Sequence, residues 1–206
     1  MISAQRIPLM QQRSLQTRAR LLDAALKCFA RQGFNAASVE SICAEAGVSK
    51  GAFYHHFPSK QALFLVLLEG WLTTIEGSLD AAHSERVPDT LLEMTDLLPL
   101  ILETADERLP MFLEFMLQAI REEQVWQATI EPYHRFQEYF AALIRRGIAE
   151  GSFAGVDADA AARTLVSLAV GLLLQGVLDP QGADWGETAR QGMRIFLKGL
   201  KQDNDE

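Results

Sequence analysis

Ser49, Lys50, Tyr54, His55, His56 and Lys60 fall inside one short stretch, AGVSKGAFYHHFPSK, at positions 46–60. Their hydroxyls, ammonium groups and imidazoles are hydrogen-bond donors, and four of the six can carry positive charge. That chemistry recognises an anion or the acceptor atoms of a polar surface. It does not cut bonds: no nucleophile–base pair, metal-ligand spacing or phosphate loop accompanies these residues. Adjacent His side chains on a helix point to different sides, so His55 and His56 are poorly placed to share one metal ion. Gly51 and Ala52 between the donors are small enough for a helix backbone to press closely against a partner.

The surrounding pattern is helical. Leu22, Ala25, Leu26 and Phe29 follow i, i+3, i+4, i+7 spacing and predict an apolar stripe on a first helix. Gly33 is placed to stop that helix in a left-handed conformation, with Phe34 plugging back toward the stripe. Ser38 suits the N-cap of a second helix whose stripe is Val39, Ile42, Cys43 and Ala46. Gly47 supplies the tight reversal after it, and Ser49 caps a short third helix from Lys50 to His56. Phe53 and Phe57 share the buried side of that helix. Lys50, Gly51, Ala52, Tyr54 and His56 are left on its other side. Pro58 ends it near Phe57, and Ser59 caps a long fourth helix running toward Asp80. Short helices joined by a glycine turn, with a basic, tyrosine-bearing outer face, read as a helix-turn-helix.

The charge is divided along the chain in the same way. The 206 residues sum to −8. The first sixty hold eight Lys or Arg against three acids, a net +5, which leaves −13 for the remainder. A basic contact module on an acidic body fits that split. Arg6, Arg13, Arg18 and Arg20 are expected as a basic N-terminal arm, centred on 1–13, that adds phosphate or minor-groove contacts. Cys28 and Cys43 fall in helical patterns and read as reduced, packed thiols. The start of the chain lacks a signal-peptide pattern, and no uninterrupted apolar run reaches about 18 residues, so a cytoplasmic protein without a membrane partner is expected.

The stretch from Gly33 to Leu63, GFNAASVESICAEAGVSKGAFYHHFPSKQAL, strongly resembles the DNA-binding domain of the TetR family of bacterial transcription regulators. The Gly-Phe after the first helix, Ser-Val opening the second, Ala-Gly-Val-Ser-Lys-Gly at the turn, Phe-Tyr-x-His-Phe and the following Ser-Lys carry the likeness. Cys43 departs from the family's usual Ala, a small change. The resemblance implies double-stranded DNA as partner. It places Ser38, Ser49, Lys50, Gly51, Ala52, Tyr54, His55, His56 and Lys60 on the contact surface. Of these, Ser38, Tyr54, His56 and Lys60 suit phosphates, Lys50 a guanine edge and Ala52 a thymine methyl.

The expected fold is all-α, with about nine helices: a helix-turn-helix domain over 1–60 and a larger ligand-binding and dimerisation domain over 61–206. Helices in the second part are expected at about 90–103, 109–120, 123–150, 157–178 and 185–201. Trp71, Ile75, Phe112, Phe115, Met116, Trp126, Tyr133, Phe136, Gln137, Phe140 and Gln175 suit a cavity for an apolar or aromatic effector, Met111 lying beside them. Glu114, inside MFLEFML, reads as a solvent-facing carboxylate or as a counter-charge for a cationic effector. Leu165, Leu168, Ala169, Leu172 and Gly176, with Ile195 and Phe196, are expected to build a homodimer interface from the last two helices. A two-fold dimer requires a nearly palindromic operator. The function expected is a ligand-released repressor without a cofactor, as against a ligand-independent regulator or activator; a small enzyme on a helical bundle lacks convergent catalytic groups.

Overall fold

Serine caps mark where the N-terminal helices begin, and glycine marks where one of them reverses. The computed structural model describes residues 9–105 and 108–201. Those residues form ten helices: α1 (Leu9–Ala36), α2 (Val39–Ala46), α3 (Lys50–His56), α4 (Lys60–Ala81), α5 (Val87–Met94), α6 (Leu97–Ala105), α7 (Arg108–Ala119), α8 (Glu123–Ala149), α9 (Ala158–Leu178) and α10 (Trp185–Leu200). No strand occurs among the described residues. The span expected as one helix over 90–103 is two, because the chain leaves α5 at Thr95, where the Thr95 hydroxyl donates to the Leu92 carbonyl.

Two compact units divide the chain. The first holds residues 9–70 and takes in Pro110–Val125 from much later in the sequence. The second holds the described parts of Trp71–Leu109 and Trp126–Glu206. The first unit thus runs ten residues past the boundary at 60 read from the sequence and recruits most of α7.

In the first unit the buried face of α1 is Leu21, Ala24, Ala25, Cys28 and Phe29. Its spacing is the expected one, shifted by a residue, so Leu22 and Leu26 are only half-buried. Gly33 has φ 78° and ψ 164°, which is not the left-handed helical well. Positive φ with extended ψ is a region open in practice to glycine alone. The chain kinks there and resumes helical turns to Ala36. The kink drives Phe34 inward, where it meets Phe29, Phe64 and Phe115 at ring distances of 5.3, 5.1 and 5.1 Å. Phe115 also stacks on Phe64 at 4.3 Å. Cys28 and Cys43 are buried free thiols.

In the second unit α5, α8, α9 and α10 surround a core that includes Val87, Leu91, Phe140, Ile144, Phe153, Leu165 and Met193. A smaller cluster joins Leu98, Leu172 and Ala189. By length and composition α4 and α9 could cross a membrane, with mean hydropathies of 1.4 and 1.7. Both instead place apolar side chains in protein cores: Leu63, Phe64, Leu68 and Leu79 from α4, and Ala161, Ala162, Leu165, Val166 and Leu172 from α9.

Phe115 is 0% exposed although the rings it touches in the first unit, Phe34 and Phe64, lie far earlier in the sequence. Phe115→Ala is therefore expected to destabilise that unit by about 3–5 kcal/mol, and Gly33→Ala by about 1–3 kcal/mol, in denaturant titrations that follow the unit's helicity. A loss for Phe115→Ala below about 1 kcal/mol would show that the aromatic cluster does not hold Pro110–Val125 in place.

Candidate nucleic-acid interface

Two serine caps fix the geometry of α2 and α3. Ser38 makes a reciprocal capping box: the Ser41 amide donates to Ser38 Oγ at 3.0 Å, and the Ser38 amide donates to Ser41 Oγ at 3.1 Å. Ser49 Oγ accepts from the Ala52 amide at 3.2 Å. Between them Gly47 takes the left-handed conformation, φ 62° and ψ 42°, and its amide reaches the Ala44 and Cys43 carbonyls. Arg20 of α1 donates to the Ala46 carbonyl, and to that of Gly47 at 3.2 Å, closing the C-terminal end of α2.

Phe53 and Phe57 lie beneath α3, fully and almost fully buried, with rings 6.0 Å apart. Arg18 stands 5.3 Å over the Phe57 ring. The opposite side of α3 carries Lys50, Gly51, Tyr54 and His55, all exposed, with Ala52 and His56 half-buried. Tyr54 is 55% exposed and rests edge-on against Phe53 at 5.3 Å. A Cβ built on Gly51 meets only Ser49 Oγ, at an ordinary 3.7 Å. The fold itself thus gives no reason for glycine there. Burial pushes the His56 imidazole below its ordinary pKa, and the charges of His55 and Arg18 act the same way. His56 is accordingly a neutral donor at neutral pH.

Two of the expected cations are held by protein groups. The Lys50 ammonium pairs with Glu40 of α2. The Lys60 ammonium donates to the carbonyls of Phe34, Asn35 and Ala37 at 2.6, 3.3 and 2.8 Å, and lies 4.4 Å from the centre of the Phe34 ring. Lysine has three donors, and all three are used. Lys60 therefore clamps the Gly33 kink in this structure. Burial lowers its pKa, against the opposing pull of the Glu114 carboxylate. The expected arm is also different. Arg6 lies outside the described residues, whereas Arg13, Arg18 and Arg20 belong to α1, where Arg18 and Arg20 pack against the α2–α3 region.

Pro110–Val125 meets the Gly33 kink. Glu114 accepts the Asn35 amide at 3.2 Å, and its carboxylate lies 2.6 Å from where a Gly33 Cβ would stand. Gln118 donates to the Asn35 side chain. Glu114 is thus a half-buried ligand of the kinked backbone. The sequence reading missed this contact, and a carboxylate inside an apolar run was the only signal of it.

The residues expected to line one cavity are split between the units. Phe115 fills the core of the first, with Phe112 and Met116 half-buried beside it on α7 and Met111 buried. In the second unit Phe140 is core, and Ile75, Tyr133 and Phe136 pack against that core. Trp71, Trp126 and Gln137 are half-buried there. Gln175 is exposed and donates to the Gly171 carbonyl of its own helix at 3.3 Å.

The expected dimer residues divide similarly. Leu165 and Leu172 are buried within the chain, and Gly176 is covered by Leu102, whose methyl stands 2.7 Å from a built Cβ. These three face inward because α9 serves the core with that side. Leu168 and Ala169 are half-buried, as is Phe196, which packs on the main core. Ile195, at 72% exposed, Val170, at 50%, and Leu178 at the end of α9, at 72%, are large apolar groups that α10 and α9 present outward.

Comparison with known proteins agrees with this geometry. Residues 21–67 match the family described as bacterial regulatory proteins, tetR family. Residues 91–201, more than half of the chain, match the family described as BetI-type transcriptional repressor, C-terminal. The HTH-type transcriptional regulator UidR of Escherichia coli strain K12 is 27% identical over 199 residues, covering 93% of this chain and 96% of that protein. Among solved structures, a transcriptional regulator from Pseudomonas aeruginosa PAO1 aligns with a TM-score of 0.75 and 27% identity, covering 94% of this chain and 92% of its own. Salmonella enterica GusR aligns at 0.70 with 29% identity, covering 89% and 96%. The capped α2–α3 pair, its exposed donor face and these two family matches lead to one conclusion: the chain belongs to the TetR family of DNA-binding transcriptional regulators, with a C-terminal part of the BetI type.

Proposed function

We propose that the protein is a dimeric repressor that binds a nearly palindromic operator and leaves it when a small apolar or aromatic molecule binds the second unit. One observation carries the reading: Pro110–Val125, flanked on both sides by second-unit chain, is built into the DNA-reading unit. Phe115, Glu114 and Gln118 attach it to Phe34, Gly33 and Asn35. Any ligand that shifts this segment acts on the kink from which α2 and α3 follow. The description of the matched C-terminal family as a repressor supports the sign of regulation. Half-buried Trp71, Trp126, Tyr133, Phe136 and Gln137 favour an apolar or aromatic effector with one or two polar atoms. A cytoplasmic location follows from the role.

The homodimer in this proposal uses the outward side of α9 and α10, through Val170 and Ile195 with Leu168, Ala169 and Phe196 at its edge. Exposed Ile and Val side chains on neighbouring helices are apolar surface that a second copy would cover. Two-fold symmetry would then place two α3 helices in successive major grooves.

On DNA, α3 lies in the major groove with Gly51 nearest the bases and Tyr54 and His56 on flanking phosphates. Gly51→Leu is expected to leave the melting temperature unchanged or higher, because leucine is the better helix former, yet to weaken operator binding at least about tenfold. Tyr54→Phe is expected to weaken operator and non-specific duplexes alike by about 1 kcal/mol in fluorescence anisotropy titrations. Undiminished affinity in both variants would remove α3 from the interface.

The release mechanism is tested by linkage. Apolar and aromatic compounds that raise the melting temperature are titrated into the protein with and without saturating operator. Weaker compound binding in the presence of operator is expected, by the same factor by which the compound weakens operator binding. Equal compound affinities in the two titrations would contradict effector-driven release.

A further inference from the structure

Glu40 lies on the first turn of α2 and pairs with Lys50, the first residue of α3. The pair is exposed, at 62% for the Glu40 side chain and 55% for Lys50. An ion pair so open to water contributes little to folding. The fold does not need it in any case, because the Ser38 box and the Ser49 cap hold the two helix starts independently. The other two acids in the first sixty residues sit elsewhere: Glu45 pairs with Arg31 of α1, and Asp23 with Lys27 on α1 itself. Glu40 alone among them places a negative charge beside the donor face of α3. A carboxylate there opposes non-specific DNA binding, since it repels phosphates and occupies a cation that would otherwise meet one.

We propose that Glu40 determines operator specificity by holding the Lys50 ammonium over the base edges, and that the pair together selects one G·C pair in each half-site. The proposal rests on α3 being the DNA-reading helix. An ammonium that gives one donor to Glu40 keeps two more, and the carboxylate keeps acceptor capacity. In the major groove a G·C pair presents guanine N7 and O6, both acceptors, beside the cytosine N4 amino donor. Lys50 donates to N7 and O6, and Glu40 accepts from N4. An adenine in place of guanine would set its N6 amino group, a donor, against the ammonium. Its thymine partner would set an acceptor, O4, against the carboxylate. Both contacts would become repulsive together, so the pair discriminates more sharply than a lone lysine.

Enrichment of random-sequence duplexes by the full chain tests this, using wild type, Glu40→Ala, Glu40→Gln, Lys50→Ala and the double Glu40→Ala/Lys50→Ala variant. Wild type is expected to select a near-palindrome with a fixed G·C pair at one position per half-site. Glu40→Ala and Lys50→Ala each lose at least about fivefold of the preference at that same position, and the double variant loses no more than either. Glu40→Ala and Glu40→Gln keep the wild-type melting transition and bind unrelated duplex more tightly. Their log affinity falls about one unit more steeply with log salt, because a freed Lys50 now meets a phosphate. An unchanged profile for Glu40→Ala, a loss at a different position from that of Lys50→Ala, selection of an A·T pair there, or an unchanged salt slope would each overturn the role of Glu40 while leaving α3 as the reading helix. If wild type enriches no sequence, the DNA-reading assignment falls, and this proposal with it.

Discussion

The structure of the DNA-reading unit depends on keeping Phe53 and Phe57 buried beneath α3. A helix of seven residues is too short to persist in water through its own hydrogen bonds. It persists here because its inner face is fixed by two phenylalanines, its start by Ser49 and its approach by the Gly47 turn. With that face committed, the remaining side chains have one direction left, which is outward. Exposure of Lys50, Gly51, Tyr54 and His55 is thus a consequence of packing. A rigid face of donors with two small residues in it suits a duplex groove because little conformational entropy remains to be lost on binding.

A second constraint lies behind that face. The Gly33 kink leaves the carbonyls of Phe34, Asn35 and Ala37 turned toward one another, and the Lys60 ammonium gathers all three. Glu114 reaches the same kink and accepts the Asn35 amide. The two charges are complementary, and between them they satisfy backbone groups that a kinked helix would otherwise leave without partners. Phe115 adds the apolar part of the attachment.

Much of the first unit was legible in the sequence because its determinants are local. Ser38, Ser49, Gly47, Phe53 and Phe57 act within a few residues of themselves, and the α2, α3 and α4 boundaries follow from them. The parts that were not legible depend on neighbours distant in sequence. Lys60 reads as an exposed cation until the carbonyls around Asn35 are placed beside it. Phe115 reads as a cavity wall until Phe34 and Phe64 surround it. Periodicity also failed to choose a face on α9, since that helix is apolar on most sides and Leu165, Leu172 and Gly176 satisfy a helical stripe whichever way it points. The register of α1 was ambiguous for a related reason: Leu21 and Leu22 are adjacent leucines, and either can head a stripe at helical spacing.

Guanine methylation interference on a selected operator measures most directly whether the outward face of α3 reads base edges. Methylation at N7 blocks the major-groove edge and leaves the minor groove as it was. The account predicts interference at guanines in two symmetric clusters about one helical turn apart, roughly 34 Å. Binding that tolerates N7 methylation throughout the operator, or that is disturbed only by methylation of adenine N3 in the minor groove, would contradict it.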